Sequence, residues 1–339
     1  SRGLGDVYKR QVPIYNEEES LPFLRNRLLN TINKIKNYEF QILLVNDGSK
    51  DNSLAEMREI CKQDLRFKYI SLSRNYGKEV AMLAGLDYCK NSDSVIFIDA
   101  DLQDPPELIE KMIEEWEKGY DDVYARRISR EGESWLKKFT SKMYYKVLAK
   151  MTKIPIQKDT GDFRLLDKRC VQALCQMREK NRCSKSLFSW IGYNKKEITF
   201  EREKRIAGTT KWNYINLIKL AIDGITSLST KPLNMPIYIS IILGIVLIIY
   251  ATTLGIFAIA GKTIVELNII IFVLLLFFTI HMTFVSIFGI YLGKIFEETK
   301  GRPIYLLDEI NGEREKNDGG YKTQESCYNN FNFNHYSAN

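Results

Sequence analysis

Ser94-Val95-Ile96-Phe97-Ile98-Asp99-Ala100-Asp101-Leu102-Gln103-Asp104-Pro105-Pro106-Glu107 is the stretch whose reading decides the fold. Val95–Ile98 is a short apolar run with β-branched residues, the composition of a strand buried on both faces. It breaks off at Asp99-Ala100-Asp101, and Pro105-Pro106 stops the strand and can open a helix at Glu107. Two carboxylates one residue apart, at the carboxyl end of a buried strand, stand where open α/β sheets hold their ligands. Their repulsion needs a cation to offset it, and clustered hard oxygens suit Mg²⁺ or Mn²⁺. A solvated turn that happens to contain two aspartates is the competing reading, which the flanking sequence has to decide.

Upstream, strand and helix alternate. Val12-Pro-Ile-Tyr-Asn-Glu-Glu18 reads as a strand end and loop, and a helix from about Ser20 carries Leu21, Leu24, Leu28 and Ile32 on one stripe. Gln41–Val45 is a strand ending in Asn46-Asp47-Gly48-Ser49-Lys50-Asp51, with Asn52 or Ser53 able to cap the next helix. Phe67–Leu72 is another strand, followed by Arg74-Asn-Tyr-Gly-Lys78 and a small-residue helix through Leu86. This alternation predicts a parallel, doubly wound sheet with every polar cluster on one edge. Ser1–Gln11 is polar and glycine-broken, and is expected to be a non-native leader outside the fold. Downstream of a strand at Asp121–Arg127, Asp159-Thr-Gly-Asp-Phe-Arg-Leu-Leu166 is expected as a loop running into a helix.

The 339 residues carry a net charge of +7, unevenly spread. Ile237–Ala260 and Leu267–Gly293 are uncharged runs, each longer than the roughly 20 residues a helix needs to cross a bilayer. Lys219 and Lys231 before the first, and Lys294, Lys300 and Arg302 after the second, place both flanks in the cytoplasm by the positive-inside rule. Ser134–Lys153 repeats Trp135, Phe139, Met143, Val147 and Met151 every four residues among lysines, a basic amphipathic helix suited to anionic lipid. Asn213–Thr230 is a second amphipathic segment, and the chain after about 311 has the composition of a disordered tail. The six cysteines lack metal or disulfide spacing and read as reduced thiols. The two histidines, His281 in an apolar run and His335 in the tail, leave no histidine for a soluble active site. Neither a dinucleotide fingerprint nor a P-loop is present, and the lysines that cluster beside the spans come with no nucleic-acid-binding motif.

Six motifs in order carry a resemblance: Val-Pro-Ile-Tyr-Asn-Glu, Asn-Asp-Gly-Ser-Lys-Asp, Arg-Asn-Tyr-Gly-Lys, Asp-Ala-Asp-Leu-Gln-Asp-Pro-Pro-Glu, Gly-Asp-Phe-Arg-Leu, and Arg202–Trp212 with its Ala-Gly-Thr-Thr-Lys core. From about Val12 to Glu309 the chain resembles the family 2 glycosyltransferases of GT-A fold, in the polyprenyl-phosphate branch of bactoprenol glucosyltransferases and dolichyl-phosphate mannose synthases. The resemblance implies an α/β, Rossmann-like nucleotide-diphospho-sugar transferase domain over 12–212. A juxtamembrane interface helix follows over 213–232, a two-helix transmembrane region over 233–295, and a cytoplasmic tail over 296–339.

The resemblance also assigns residues. Pro13, Tyr15 and Glu17 match the loop lining the nucleotide pocket, and Asp47 the aspartate that takes the uracil imide N–H. Asn46 stands where an acid is usual. Arg74 and Lys78 resemble residues near the nucleotide or its diphosphate. Asp99 resembles the residue facing the donor ribose or sugar, Asp101 the metal ligand, and Gln103 and Asp104 lie close to the sugar in relatives. Asp162 matches the catalytic-base position. Arg127, Arg130, Lys137, Arg164, Arg202, Arg205 and Lys211 are candidates to clamp the acceptor phosphate, Arg127 also counting as catalytic, because a guanidinium fork pairs two phosphate oxygens.

The expected activity is inverting transfer of a sugar, UDP-glucose first, to undecaprenyl phosphate, with Mg²⁺ or Mn²⁺ stabilising the leaving diphosphate. UDP-N-acetylglucosamine, a modified arabinose donor and GDP-mannose are the alternative donors. The protein is expected to be multi-pass in the plasma (inner) membrane with its catalytic domain in the cytoplasm, homo-oligomeric, and active in cell-envelope assembly. A processive polysaccharide synthase would carry Gln-x-x-Arg-Trp, which Arg178–Trp190 lacks. A non-catalytic, membrane-anchored nucleotide- or lipid-binding protein is the rival from another class, and Asp99, Asp101 and Asp162 argue against it.

Overall fold

The structure, a computed structural model, describes residues 7–128, 160–201 and 267–314, with isolated positions between 242 and 260. The chain divides into two compact units. The first holds a nine-stranded sheet in the order β7-β5-β6-β4-β1-β2-β3-β8-β9. Its centre is parallel: β1 (Val7–Ile14) lies between β2 (Glu39–Asn46) and β4 (Ser94–Phe97), and β3 (Phe67–Leu72) pairs with β2. The helices α1 (Leu21–Ile32), α2 (Ser53–Gln63), α3 (Lys78–Cys89) and α4 (Leu108–Glu117) connect these strands in the alternation expected. Leu21, Leu24, Leu28 and Ile32 are all buried, so the stripe on α1 faces the core as predicted.

Three expectations are corrected. Val7–Gln11, expected outside the fold, form most of the central strand β1. Its polar residues fit because they find partners. The Gln11 amide donates to the carbonyls of Ala81 and Met82 at 3.0 and 2.7 Å, and the Lys9 amine reaches that of Tyr88. Gly85 makes room for Gln11, since a Cβ there would lie 2.1 Å from its side chain.

Thr160–Asp167 is a strand, β6, and not a loop running into a helix. It lies antiparallel between β4 and β5 (Asp122–Arg127), so the sheet is mixed where pure parallel pairing was expected. Flanked on both sides, β6 buries Phe163, Arg164, Leu165 and Leu166, and only then does α5 (Lys168–Gln176) begin, capped by Asp167. The Asp167 carboxylate accepts the Arg169 N–H at the helix start and the Trp116 indole N–H from α4. α6 (Ser184–Trp190) and β7 (Lys195–Phe200) complete this side, β7 running parallel to β5.

The third correction lies in the stretch expected as a tail over 296–339, whose first part supplies strands to the sheet. β8 (Leu307–Ile310) pairs antiparallel with β3, and β9 (Glu313–Arg314) with β8. Glu309 is buried and accepts from Arg58 and Tyr69, while Tyr305 donates to Asp87 at 2.8 Å. Residues beyond 314 lie outside the described ones, as do the two amphipathic segments.

The second unit contains α7 (Leu267–Thr299), which covers the second apolar run and extends past it. Its Leu276–Thr299 portion is the one helix among the described residues that is long and apolar enough to cross a membrane. Of the first run, only scattered helical positions such as Ile242, Ile245 and Thr252 are described.

Candidate active site

Every polar motif of the parallel core emerges at the carboxyl edge of the sheet, and backbone hydrogen bonds stitch neighbouring loops together. After β1, Asn16 takes a left-handed φ of 53° and its side chain accepts the Lys50 N–H at 2.8 Å, while its own N–H donates to Ser49. Glu17 donates its N–H to Ser53, and Glu18 accepts from Asn52. The Glu17 carboxylate, expected at the nucleotide, accepts the Ser20 hydroxyl at 2.7 Å at the start of α1. Pro13 pairs in register with Val45 at the end of β1, and Tyr15 follows it, 37% exposed.

The loop after β2 is joined to the loop after β3 by Asp47. Its two oxygens accept the N–H groups of Tyr76 and Gly77 at 2.7 and 2.9 Å, each keeping a lone pair for a further donor. Burial pushes the Asp47 carboxyl up from its ordinary pKa, and these N–H groups and Arg74 pull it back. Gly48 must be glycine: φ is +63°, and a Cβ would stand 2.3 Å from the Arg74 backbone. Asn46 donates to Ser71 and accepts from Ser49, so in place of the usual acid it is a buried pin between strands and loop. Arg74 folds over the Tyr76 ring, 4.0 Å from its centroid.

Lys78 joins the next elements. It opens α3, and its amine lies 2.7 Å from Asp99 and 2.6 Å from Asp162. The two carboxylates come from different strands. Phe97 on β4 pairs with Arg164 on β6, and continuing that register by two residues sets Asp99 beside Asp162. Burial would lower the Lys78 pKa, but the charges of Asp162 and Asp99 outweigh it and hold the amine well above the usual lysine range. Burial opposes ionisation of Asp162 too, yet Lys78, helped by Lys185, keeps it far below the carboxylate range. Asp162 Oδ2 carries the Lys78 bond, while Oδ1 is buried with no hydrogen-bond partner among the described residues.

Asp101 is 9% exposed, and its Oδ1 accepts the Gln103 N–H at 3.2 Å. The next residue, Leu102, is fully buried in a left-handed turn of φ 55°, which anchors the Asp-Ala-Asp loop in the core. No group of three or more His, Cys, Asp or Glu among the described residues forms a protein-only metal cage. The donor set still fits Mg²⁺ or Mn²⁺. Asp99 is engaged by Lys78, and a hard carboxylate at Asp101 suits an ion whose remaining ligands come from substrate phosphates and water.

The proposed phosphate clamps separate in space. Arg127, at the end of β5, faces the buried Asp104 at 3.9 Å and closes over Gly161, where a Cβ would lie 3.2 Å from its guanidinium. Arg164 is corrected as an acceptor residue: it is 0% exposed, paired with Asp122 at 3.0 Å, with its guanidinium 3.8 Å from the Phe188 ring centroid. A strand alternates its side chains, so Asp162 and Arg164 share a β6 face, but Arg164 sits two residues deeper into the sheet. Arg130, Lys137, Arg202, Arg205 and Lys211 lie outside the described residues. Sequence reasoning passed over Glu79 and Ser184. The Ser184 N–H donates to Glu79 at 2.7 Å and its hydroxyl to the same oxygen, fixing α6 to the residue after Lys78. The only sequence signal was that Glu79 adjoins the Arg-Asn-Tyr-Gly-Lys motif.

A mixed sheet with its polar loops on one edge and an acidic pair after β4 defines a GT-A-like transferase domain. The chain belongs to Glycosyl transferase family 2, whose model matches residues 11–175. It is 43% identical to an uncharacterized glycosyltransferase of Synechocystis sp., over 89% of this chain and 94% of that protein. A prophage bactoprenol glucosyl transferase homolog of Escherichia coli is 36% identical over 88% of this chain and 97% of its own length. The bactoprenol glucosyl transferase of Shigella phage SfX is 35% identical, over 87% and 97%.

Proposed function

We propose that the protein transfers glucose from UDP-glucose to undecaprenyl phosphate, with inversion, at the cytoplasmic face of the membrane. The observation that carries this reading is the Lys78 bridge between Asp99 and Asp162, which sets a cation and two carboxylates beside the Asp101 loop. The names of the Escherichia coli and Shigella phage relatives support the glucosyl donor and the bactoprenol acceptor.

The chemistry follows from charge. A polyprenyl phosphate is ionised near neutral pH, so it attacks the anomeric carbon without first losing a proton. The C1–O bond to the diphosphate breaks and its electron pair leaves with UDP. Attack opposite the leaving group gives a β-linked product from an α-linked donor. Asp162, held ionised by Lys78, shapes the acceptor side and need not take a proton. Asp101 would hold Mg²⁺ or Mn²⁺, which when bound offsets the charge of the departing diphosphate.

Chain topology supports a multi-pass anchor. β7 and β8 belong to one sheet, so the chain that leaves after Phe200 returns to the same side at Leu307. A crossing by Leu276–Thr299 then requires another crossing between them, for which Ile237–Ala260 is suited.

The test is incubation of detergent-solubilised protein with undecaprenyl phosphate and each of UDP-glucose, UDP-N-acetylglucosamine and GDP-mannose, followed by mass spectrometry of the lipid. A hexose-bearing lipid phosphate from UDP-glucose is expected. Product only from another donor would overturn the sugar, and no lipid-linked sugar from any donor would overturn the reaction.

A further inference from the structure

Lys78 reaches across the carboxyl edge of the sheet. Its backbone opens α3 directly after Tyr76 and Gly77, whose N–H groups are held by Asp47 in the loop after β2. Its amine bonds Asp99, just past β4, at 2.7 Å and Asp162, on β6, at 2.6 Å. The stem is therefore rooted among the loops that the resemblance assigns to the nucleotide, while the charge stands between carboxylates of two neighbouring strands. The Lys78 side chain stays 44% exposed, so a dissolved anion can reach it.

Any anion that binds Lys78 must draw its amine from these two carboxylates, and any cation attracted to them meets a charge of its own sign. Asp101 is two residues beyond Asp99, at most about 7 Å of chain, so a cation at Asp101 is repelled by the ammonium on Asp99. Among the described residues no three acids gather into a cage, and an ion at Asp101 needs phosphate oxygens to complete its shell. Lysine suits an exchange of partners, because it is a compact charge on a flexible stem, where the rigid arginine fork would not.

We infer that Lys78 is an internal counter-ion that keeps the acidic edge from holding a divalent cation by itself, and that a nucleotide diphosphate draws the amine away. Metal and nucleotide then load together, each raising the affinity of the other. The inference rests on the reading of the donor as a nucleotide sugar held with a metal. It gives Lys78 a role against the metal, beyond a place near the diphosphate.

The test titrates the full chain in detergent with MnCl2, alone and in saturating UDP, and follows free Mn²⁺ by electron paramagnetic resonance. A protein-free control removes the share bound by UDP itself, and calorimetry gives the UDP affinity. Wild type should bind Mn²⁺ at least about tenfold more tightly with UDP than without. Lys78→Met should bind Mn²⁺ alone about tenfold more tightly than wild type, yet bind UDP about tenfold more weakly, the loss of one charge-assisted contact. Structural damage would weaken both, so the opposite signs are the signature. Lys78→Gln, which keeps a hydrogen-bond donor for the carboxylates, should show the same gain, and Lys78→Arg, which keeps the charge, none. Mn²⁺ affinity in the neutral variants equal to or below wild type would overturn the inference, as would a gain that survives Asp101→Asn. Wild type that binds Mn²⁺ equally well with and without UDP would overturn it whatever the variants do. Lipid-linked glucose made by a wild type whose Mn²⁺ affinity ignores Lys78 would sink this inference alone. A wild type that binds no UDP, with or without Mn²⁺, would sink the proposed donor as well.

Discussion

Lys78 holds together two carboxylates that lie 21 and 84 residues away from it in the chain and meet through strand register. Linkage gives this ion group a pH signature. Asp162 is held below its ordinary range, so its contribution to stability is present above that range and fades as pH falls through the depressed value. Lys78 is held above its range, so its contribution fades only in strong alkali. Lys78→Met should raise the Asp162 pKa, moving the acid limb of kcat/KM upward by about one unit or more. A pH–rate profile with an unmoved acid limb would show that Asp162 does not depend on Lys78. Arg164 illustrates the opposite limit. Its motif position invited a role at the surface, but periodicity could not reveal the Asp122 partner that draws it inside. Arg164→Met alone leaves a buried carboxylate uncompensated and should destabilise by about 3–5 kcal/mol, whereas Arg164→Met with Asp122→Leu should recover much of that loss. Denaturant midpoints of the two variants in detergent check the pair.

At the scale of elements, β2 and β4 with their continuous apolar runs, β3 with Phe67, Tyr69, Ile70 and Leu72, and the striped helix α1 could be read directly. β1 could not, because Lys9 and Gln11 break its pattern and are tolerated only through carbonyls of α3 that no local rule anticipates. β6 was hidden for a related reason: Asp162 and Arg164 alternate with Phe163 and Leu165, and glycine and charge in one stretch mimic a loop. The Gln11–Gly85 contact makes the first case testable. Gly85→Ala places a methyl group 2.1 Å from a side chain already bound to two carbonyls, so it should destabilise by about 1–3 kcal/mol. An unchanged melting temperature would mean that Gln11 moves aside freely and that β1 does not depend on it. The edge strand β8 makes a second test, since Glu309 joins Arg58 of α2 and Tyr69 of β3. Glu309→Ala should loosen β8 and speed amide exchange along β3, while exchange in β4, at the sheet centre, stays slow.

At the scale of the whole molecule, one topological fact bears on the proposed membrane anchor. The last strands of the sheet are supplied by chain that has already passed through α7, so the apolar segment is an excursion from the catalytic unit and not a terminal tail. Hydropathy marks two apolar runs of spanning length, and the β3–β8 pairing returns the chain that follows them to the sheet it left. Under the proposed function that side is the cytoplasm, the assignment that lysine and arginine at both flanks give by the positive-inside rule. The connection Gly261–Glu266 should then face the opposite compartment. In intact cells a Lys262→Cys variant should react with a membrane-impermeant maleimide, whereas the native cysteines of the sheet unit, Cys61 among them, should react only after the cells are opened. Labelling of both only after opening would leave the excursion on the cytoplasmic face without crossing. Labelling of the native thiols in intact cells would invert the orientation and separate the active site from its donor. In the proposed reaction the lipid acceptor stays in the bilayer, and an anchor looped between β7 and β8 would keep the sheet unit at the membrane through repeated turnovers. Cutting the excursion away while keeping β8 should therefore cost transfer to long-chain polyprenyl phosphate far more than binding of UDP.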